Sequence, residues 1–211
     1  MNKPSKIIWT SPHCRPDWVE KLGEESQGGQ TEVMYRQPQA LVEQNPTLSI
    51  DIYTRYQADD FQIDKNNSGF IGKELLHDSE NYIHVKKLDE GRIRIIRLPA
   101  GPVDRYIVKE QLYGDYIDQF VRGIYSFSKG NGVTYQIAHG HYADGWETVT
   151  KLSKFLATEG ENLPTVLTTH SLGRRKKQDC LQRGEGTEKI LDEKYNFPMR
   201  VASEEKSLQH A

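Results

Sequence analysis

Apolar residues recur along this chain with two periods, and segments of the two kinds alternate. Lys6 to Ser11, Leu48 to Tyr53, Arg92 to Leu98, Thr134 to His139 and Thr165 to Thr169 read as strands. Leu48, Ile50 and Ile52 alternate with polar neighbours, and "RIRIIRL" is stopped by Pro99. Thr31 to Gln44, Val108 to Phe127 and Glu147 to Ala157 read as helices. In the second of these, Val108, Leu112, Tyr116, Phe120, Val121, Ile124 and Phe127 fall at three- and four-residue intervals and form one stripe. Strands separated by helices of this length predict an α/β fold, a doubly wound parallel sheet with helices on both faces. Ligands on that architecture sit beyond the carboxyl ends of the strands. Tyr56 to Lys87 is polar and lacks sustained periodicity, so it reads as a long excursion from a single domain spanning the chain.

Composition narrows the function classes. With 211 residues, 36% apolar and 27% charged, the chain is long enough to bury a core under a polar surface. No apolar run approaches the roughly 20 residues of a membrane span. Near the start only Ile7, Ile8 and Trp9 form an apolar block, too short for a secretory signal, so a cytoplasmic location is expected. Cys14 and Cys180 lie far apart without the paired spacing of a zinc site or disulfide framework. A formal net charge of -2 argues against bulk nucleic-acid binding, so any basic site must be local.

Four candidate features follow the expected strands. "SQGGQ", Ser26 to Gln30, opens the first helix. Paired glycines let a backbone approach a ligand, and free helix amides favour anions. The Gly-x-Gly-x-x-Gly dinucleotide spacing is absent, however, and a Gly-Gly pair also serves as a plain turn. "HGHYADGW", His139 to Trp146, sets two histidines before an aspartate. A His-x-His-x-Asp-His metal pattern would need aspartate at position 143 and histidine at 144, so no metal is expected. The remaining readings are a polar strand end lining a pocket and a strand-to-helix turn with Asp144 as N-cap.

The third feature, "LTTHSLGRRKK", places His170 at the carboxyl edge of the sheet. Gly173 and then Arg174, Arg175, Lys176 and Lys177 follow on a helix start. Cations there oppose the helix dipole at a cost of some tenths of a kcal/mol each. One reading is a solvated face; the other is a phosphate held between the helix amides and a lysine. The fourth is Arg200 in "MRVASEE", in a terminal helix with Glu204 and Glu205.

These four segments, in this order, resemble the motifs of the sucrose-phosphate synthases. The stretches "RLPAGPVDRYIVKEQLY" and "QALVEQNPTLSIDIYTR" resemble that family as well. The likeness runs from Ile7 to about Glu205. Ser26 stands where the family motif has aspartate, Thr169 where it has glycine, Gly145-Trp146 replaces Ala-Gly, and Pro38 falls inside the first helix. The resemblance implies a retaining glycosyltransferase of GT-B architecture, with two Rossmann-like domains facing a cleft. Such an enzyme transfers glucose from UDP-glucose to fructose 6-phosphate without a cofactor.

This sequence resembles the first, acceptor-side domain alone. The donor-binding domain is then expected to be absent, UDP-glucose to bind only with it, and the chain alone not to turn over. By resemblance, Gly28, Gly29 and Gln30 would meet the sugar phosphate, Tyr142 would line the acceptor pocket, and Arg105, Lys176 and Arg200 would contact the phosphate. His170 would stand near the transferred glucose and supply a hydrogen bond. Alternatives are a non-catalytic sugar-phosphate binding or regulatory module and a sucrose-synthase-like domain using free fructose. The cations behind His170 weigh against the last, because an uncharged acceptor has no use for them.

Overall fold

The computed structural model describes residues 5–16, 29–56, 83–102 and 109–210. Six strands, β1 (Ser5–Thr10), β2 (Leu48–Arg55), β3 (His84–Leu88), β4 (Ile93–Leu98), β5 (Ile137–His141) and β6 (Thr165–Thr168), form one sheet in the order β3-β4-β2-β1-β5-β6. Every neighbouring pair is parallel except β3 and β4, which are antiparallel.

Because side chains alternate across a strand, the sheet has two apolar faces. Ile8, Tyr53, Ile96, Leu98 and Ala138 face one way. They pack on Ile117, Phe120, Ile124 and Phe127 of α2 (Asp115–Gly130) and on Val149 and Leu152 of α3 (Tyr142–Thr158). Trp9, Ile50, Ile52, Ile93 and Ile95 face the other way, onto Met34 and Val42 of α1 (Gly29–Gln44). The helices therefore lie on both faces, as expected. After β6, the helices α4 (Gly173–Gln182), α5 (Glu188–Tyr195) and α6 (Phe197–Leu208) pack on one another, and α6 also packs along α3.

Four details differ from the sequence reading. The excursion expected to run through Lys87 ends sooner, because His84–Leu88 pairs with β4 as an edge strand; residues 57–82 lie outside the described residues. The second helix starts at Asp115 rather than Val108. Gly114, with φ at +80°, interrupts the helical backbone, and among the described residues a short 3-10 turn, Lys109–Gln111, precedes it. Leu112 still reaches the core, which is why the periodicity ran on past the true helix start. The third helix begins five residues before Glu147, directly behind β5. Pro38 sits inside α1, four residues from each of the buried Met34 and Val42, and is itself buried; its ring removes one helix hydrogen bond. Among the described residues no helix is long and apolar enough to cross a membrane.

Candidate functional site

At the carboxyl edge of the sheet, β5 passes into α3 without a loop: His141 ends the strand and Tyr142 begins the helix. Two glycines make this possible. A Cβ on Gly140 would lie 2.5 Å from the Gly145 carbonyl oxygen, and one on Gly145 would lie 2.4 Å from the Thr10 carbonyl oxygen, so any side chain would force β1, β5 and α3 apart. The tight turn leaves Tyr142 at φ +64°, a left-handed conformation that a bulky residue keeps only when its surroundings impose it. Asp144 is not the N-cap; His141 is. The buried Asp144 carboxylate instead accepts the His13 backbone N–H (3.0 Å) and meets His13 Nδ1 (2.8 Å), tying the segment after β1 to the first turn of α3. Gln30, at the start of α1, donates to Ser11 Oγ, which itself lies 3.3 Å from His13 Nδ1.

The histidines converge on the same edge. His141 Nδ1 and His170 Nε2 are 3.0 Å apart, His139 Nε2 is 2.6 Å from Thr168 Oγ1, and the His139 and His141 rings stack at 4.1 Å beside Trp9. Burial lowers the His139 pKa to about 4 and, with the neighbouring imidazoles, that of His141 to about 2; burial lowers His170 too. At neutral pH the stack is uncharged and offers hydrogen bonds rather than positive charge. Among the described residues no three metal-ligating side chains are grouped to hold an ion.

Positive charge gathers one step away. Arg200, 3% exposed, has its guanidinium carbon 4.3 Å from the Tyr142 ring centre. Its Nη1 donates to Tyr142 Oη (2.6 Å), its Nη2 to Ser171 O (2.6 Å) and Oγ (3.0 Å), and its Nε to Glu204 (2.9 Å). Tyr142, mainly through burial, has its phenol pushed up to about 12. Lys176 is half-buried with Nζ 4.3 Å over the Tyr195 ring, and Lys109 Nζ lies 5.7 Å over the Tyr142 ring. Among the described residues neither lysine has a carboxylate within ion-pair distance. The Lys176 pKa is lowered, first by burial and then by the Lys109 and Arg200 charges, with Glu110 opposing.

The structure thus brings together Gln30, Tyr142, His170, Lys176 and Arg200, with Gly29 opening α1; Gly28 and Arg105 lie outside the described residues. The first amide of α4 is occupied within the protein: Gly173 N–H donates to both oxygens of Glu204, at 3.1 and 2.8 Å.

No family model matches the chain. Among curated proteins, probable sucrose-phosphate synthase 2 of Craterostigma plantagineum is 32% identical over 90% of this chain and 19% of its own length. Probable sucrose-phosphate synthase 1 of Oryza sativa is 31% identical over 100% of the chain and 20% of its own length. Over nearly its whole length the chain is similar to sucrose-phosphate synthases. It spans about a fifth of the length of these relatives. The catalytic domain of starch synthase IV from Arabidopsis thaliana, solved with ADP and acarbose, aligns at 14% identity with a TM-score of 0.50, covering 81% of this chain and 34% of that one. That likeness bears on the fold, a Rossmann-like GT-B domain.

Three residues of this sucrose-phosphate synthase relative escaped the sequence reading: His13, Lys109 and Glu204. Lys109 lies within the "IVKEQLY" stretch that carries part of the family likeness, so a signal existed. Glu204 was seen only as a companion of Arg200, and nothing local to His13 marks it as the partner of Asp144, 131 residues away.

Proposed function

We propose that this edge of the sheet binds the phosphate of fructose 6-phosphate, as the acceptor half of a glucosyltransferase whose donor, UDP-glucose, is held by a second domain. Lys109 and Arg200 both lie over the Tyr142 ring, and the nearby Lys176, packed on Tyr195 with no carboxylate among the described residues within ion-pair distance, has its pKa lowered by burial and by those two cations. That observation carries the proposal. A charge arrangement this unfavourable in the free protein is relieved by a dianion, and charge-assisted bonds from lysine and arginine supply both affinity and orientation. The neutral stack ending in His170 then suits sugar hydroxyls, and by the family resemblance Gly28, Gly29 and Gln30 would meet the sugar phosphate and Arg105 its phosphate.

Titration calorimetry with fructose 6-phosphate, fructose and inorganic phosphate tests the proposal. Fructose 6-phosphate should bind at least tenfold more tightly than either of the other two. Equal affinity for fructose and its 6-phosphate would remove the phosphate from the recognition and with it the proposal.

A further inference from the structure

Glu204 is a buried carboxylate built into the cationic seam, and simple electrostatics makes it an odd neighbour for a phosphate site. It is 5% exposed, its two oxygens accept Gly173 N–H, and Oε1 also accepts Arg200 Nε. A side chain on Gly173 would meet Glu204 Oε2 at 3.2 Å and the Arg200 Cδ at 3.3 Å, so the glycine lets α4 and α6 close around this bond. With Nε fixed, the planar guanidinium can turn only one way, and its outer nitrogens fall on Tyr142 and Ser171. Tyr142 is the strained residue at the start of α3, and Ser171 follows His170 directly.

We propose that Glu204 is a positioning residue: by locking Arg200 it holds Tyr142 and the His170–Ser171 segment in the geometry that recognises the sugar. This rests on the acceptor-site reading only for the ligand's identity. The proposal and bare electrostatics give opposite signs for Glu204→Gln. Removing a nearby negative charge alone tightens every anion. Loss of positioning weakens the ligand that needs Tyr142 and His170 while sparing one that needs only lysines.

The experiment is calorimetry on the Glu204→Gln chain with fructose 6-phosphate and with inorganic phosphate. Expected are a loss of at least tenfold for fructose 6-phosphate and an unchanged or higher affinity for phosphate. A gain for both ligands, or a parallel loss for both, overturns the proposal. Tyr142→Phe keeps every charge and removes one Arg200 contact, so it should reproduce the split more weakly if Glu204→Gln folds poorly. A ligand-free readout separates this inference from the acceptor reading. In protein with 13C-labelled tyrosine, the Tyr142 ring signals, assigned by their loss in Tyr142→Phe, should move in Glu204→Gln, or in Arg200→Lys should the first variant not fold. Signals that stay in place would sink the positioning role whatever the protein binds.

Discussion

The four consecutive cations of α4 fall into two environments. Arg174 pairs with Glu205, Arg175 with Asp179, and Lys177 with Glu188 and Asp192. The Arg174 and Arg175 side chains are 75% and 69% exposed. Lys176, between Arg175 and Lys177 in sequence, turns inward to an aromatic ring and two further cations. The outer charges are all matched, and those of the two arginines are also wet, so they carry little energy; Lys176 is unmatched and half-dry, so it is poised to do something. The chain tolerates four cations at a helix start because three have private carboxylates. A built-in carboxylate, Glu204, also occupies the first helix amide and offsets the dipole.

The largest effect is expected deepest in the seam. Arg200→Met removes the buried ion-pair partner of Glu204, which should cost about 3–5 kcal/mol of stability. Urea denaturation measures it, and a loss under about 1 kcal/mol would mean that the seam is wetter than its burial implies. Lys176→Met sharpens the contrast from the other side. It should leave stability unchanged or slightly raised, since a desolvated cation is removed, while affinity for fructose 6-phosphate falls at least tenfold. Equal affinity in the variant would place Lys176 with the outer three.

Which of the four cations turns inward was legible in part. The family resemblance singled out Lys176, and the structure gives the reason: Gly173, Lys176 and Cys180 are three and four residues apart on one helix, and Gly173 and Cys180 are buried. The five parallel strands were legible because period-two alternation is a local property. What escaped depends on distant partners. Glu204 meets Gly173 from 31 residues away, and the direct passage from β5 into α3 rests on Gly140 and Gly145 pressing against backbone, which no apolar pattern records. β3 was hidden because its edge position allows Lys86 and Lys87 to be exposed, so it resembles the polar stretch before it.

The next effect is in pH. Lys176 has a folded-state pKa below its ordinary value, so between that pKa and about 10.5 the unfolded chain holds the proton that the folded chain has released. Stability should therefore gain a small contribution as pH rises through this window. Phosphate affinity should fall in the same window as the ammonium is lost. The opposite signs are the test: calorimetry and denaturation measured from pH 7 to 10.5 should diverge in the native chain, and Lys176→Met should abolish both slopes. Parallel slopes would assign the titration to another group.

The smallest effects belong to the outer face. Arg174→Ala and Arg175→Ala each remove an exposed ion pair whose attraction is screened by water and salt, and each should cost less than about 1 kcal/mol. Half a molar sodium chloride should erase most of that cost, because the screening length is then well under 10 Å. Neither change should alter fructose 6-phosphate affinity by more than about twofold, or 0.4 kcal/mol. A tenfold loss at Arg175 would be the informative failure. Arg175 and Lys176 line a common groove with Ser171 and Leu172. In that event the ligand's phosphate would sit further out along α4, with Lys176 at its inner rim and Arg175 drawn away from Asp179 to meet it.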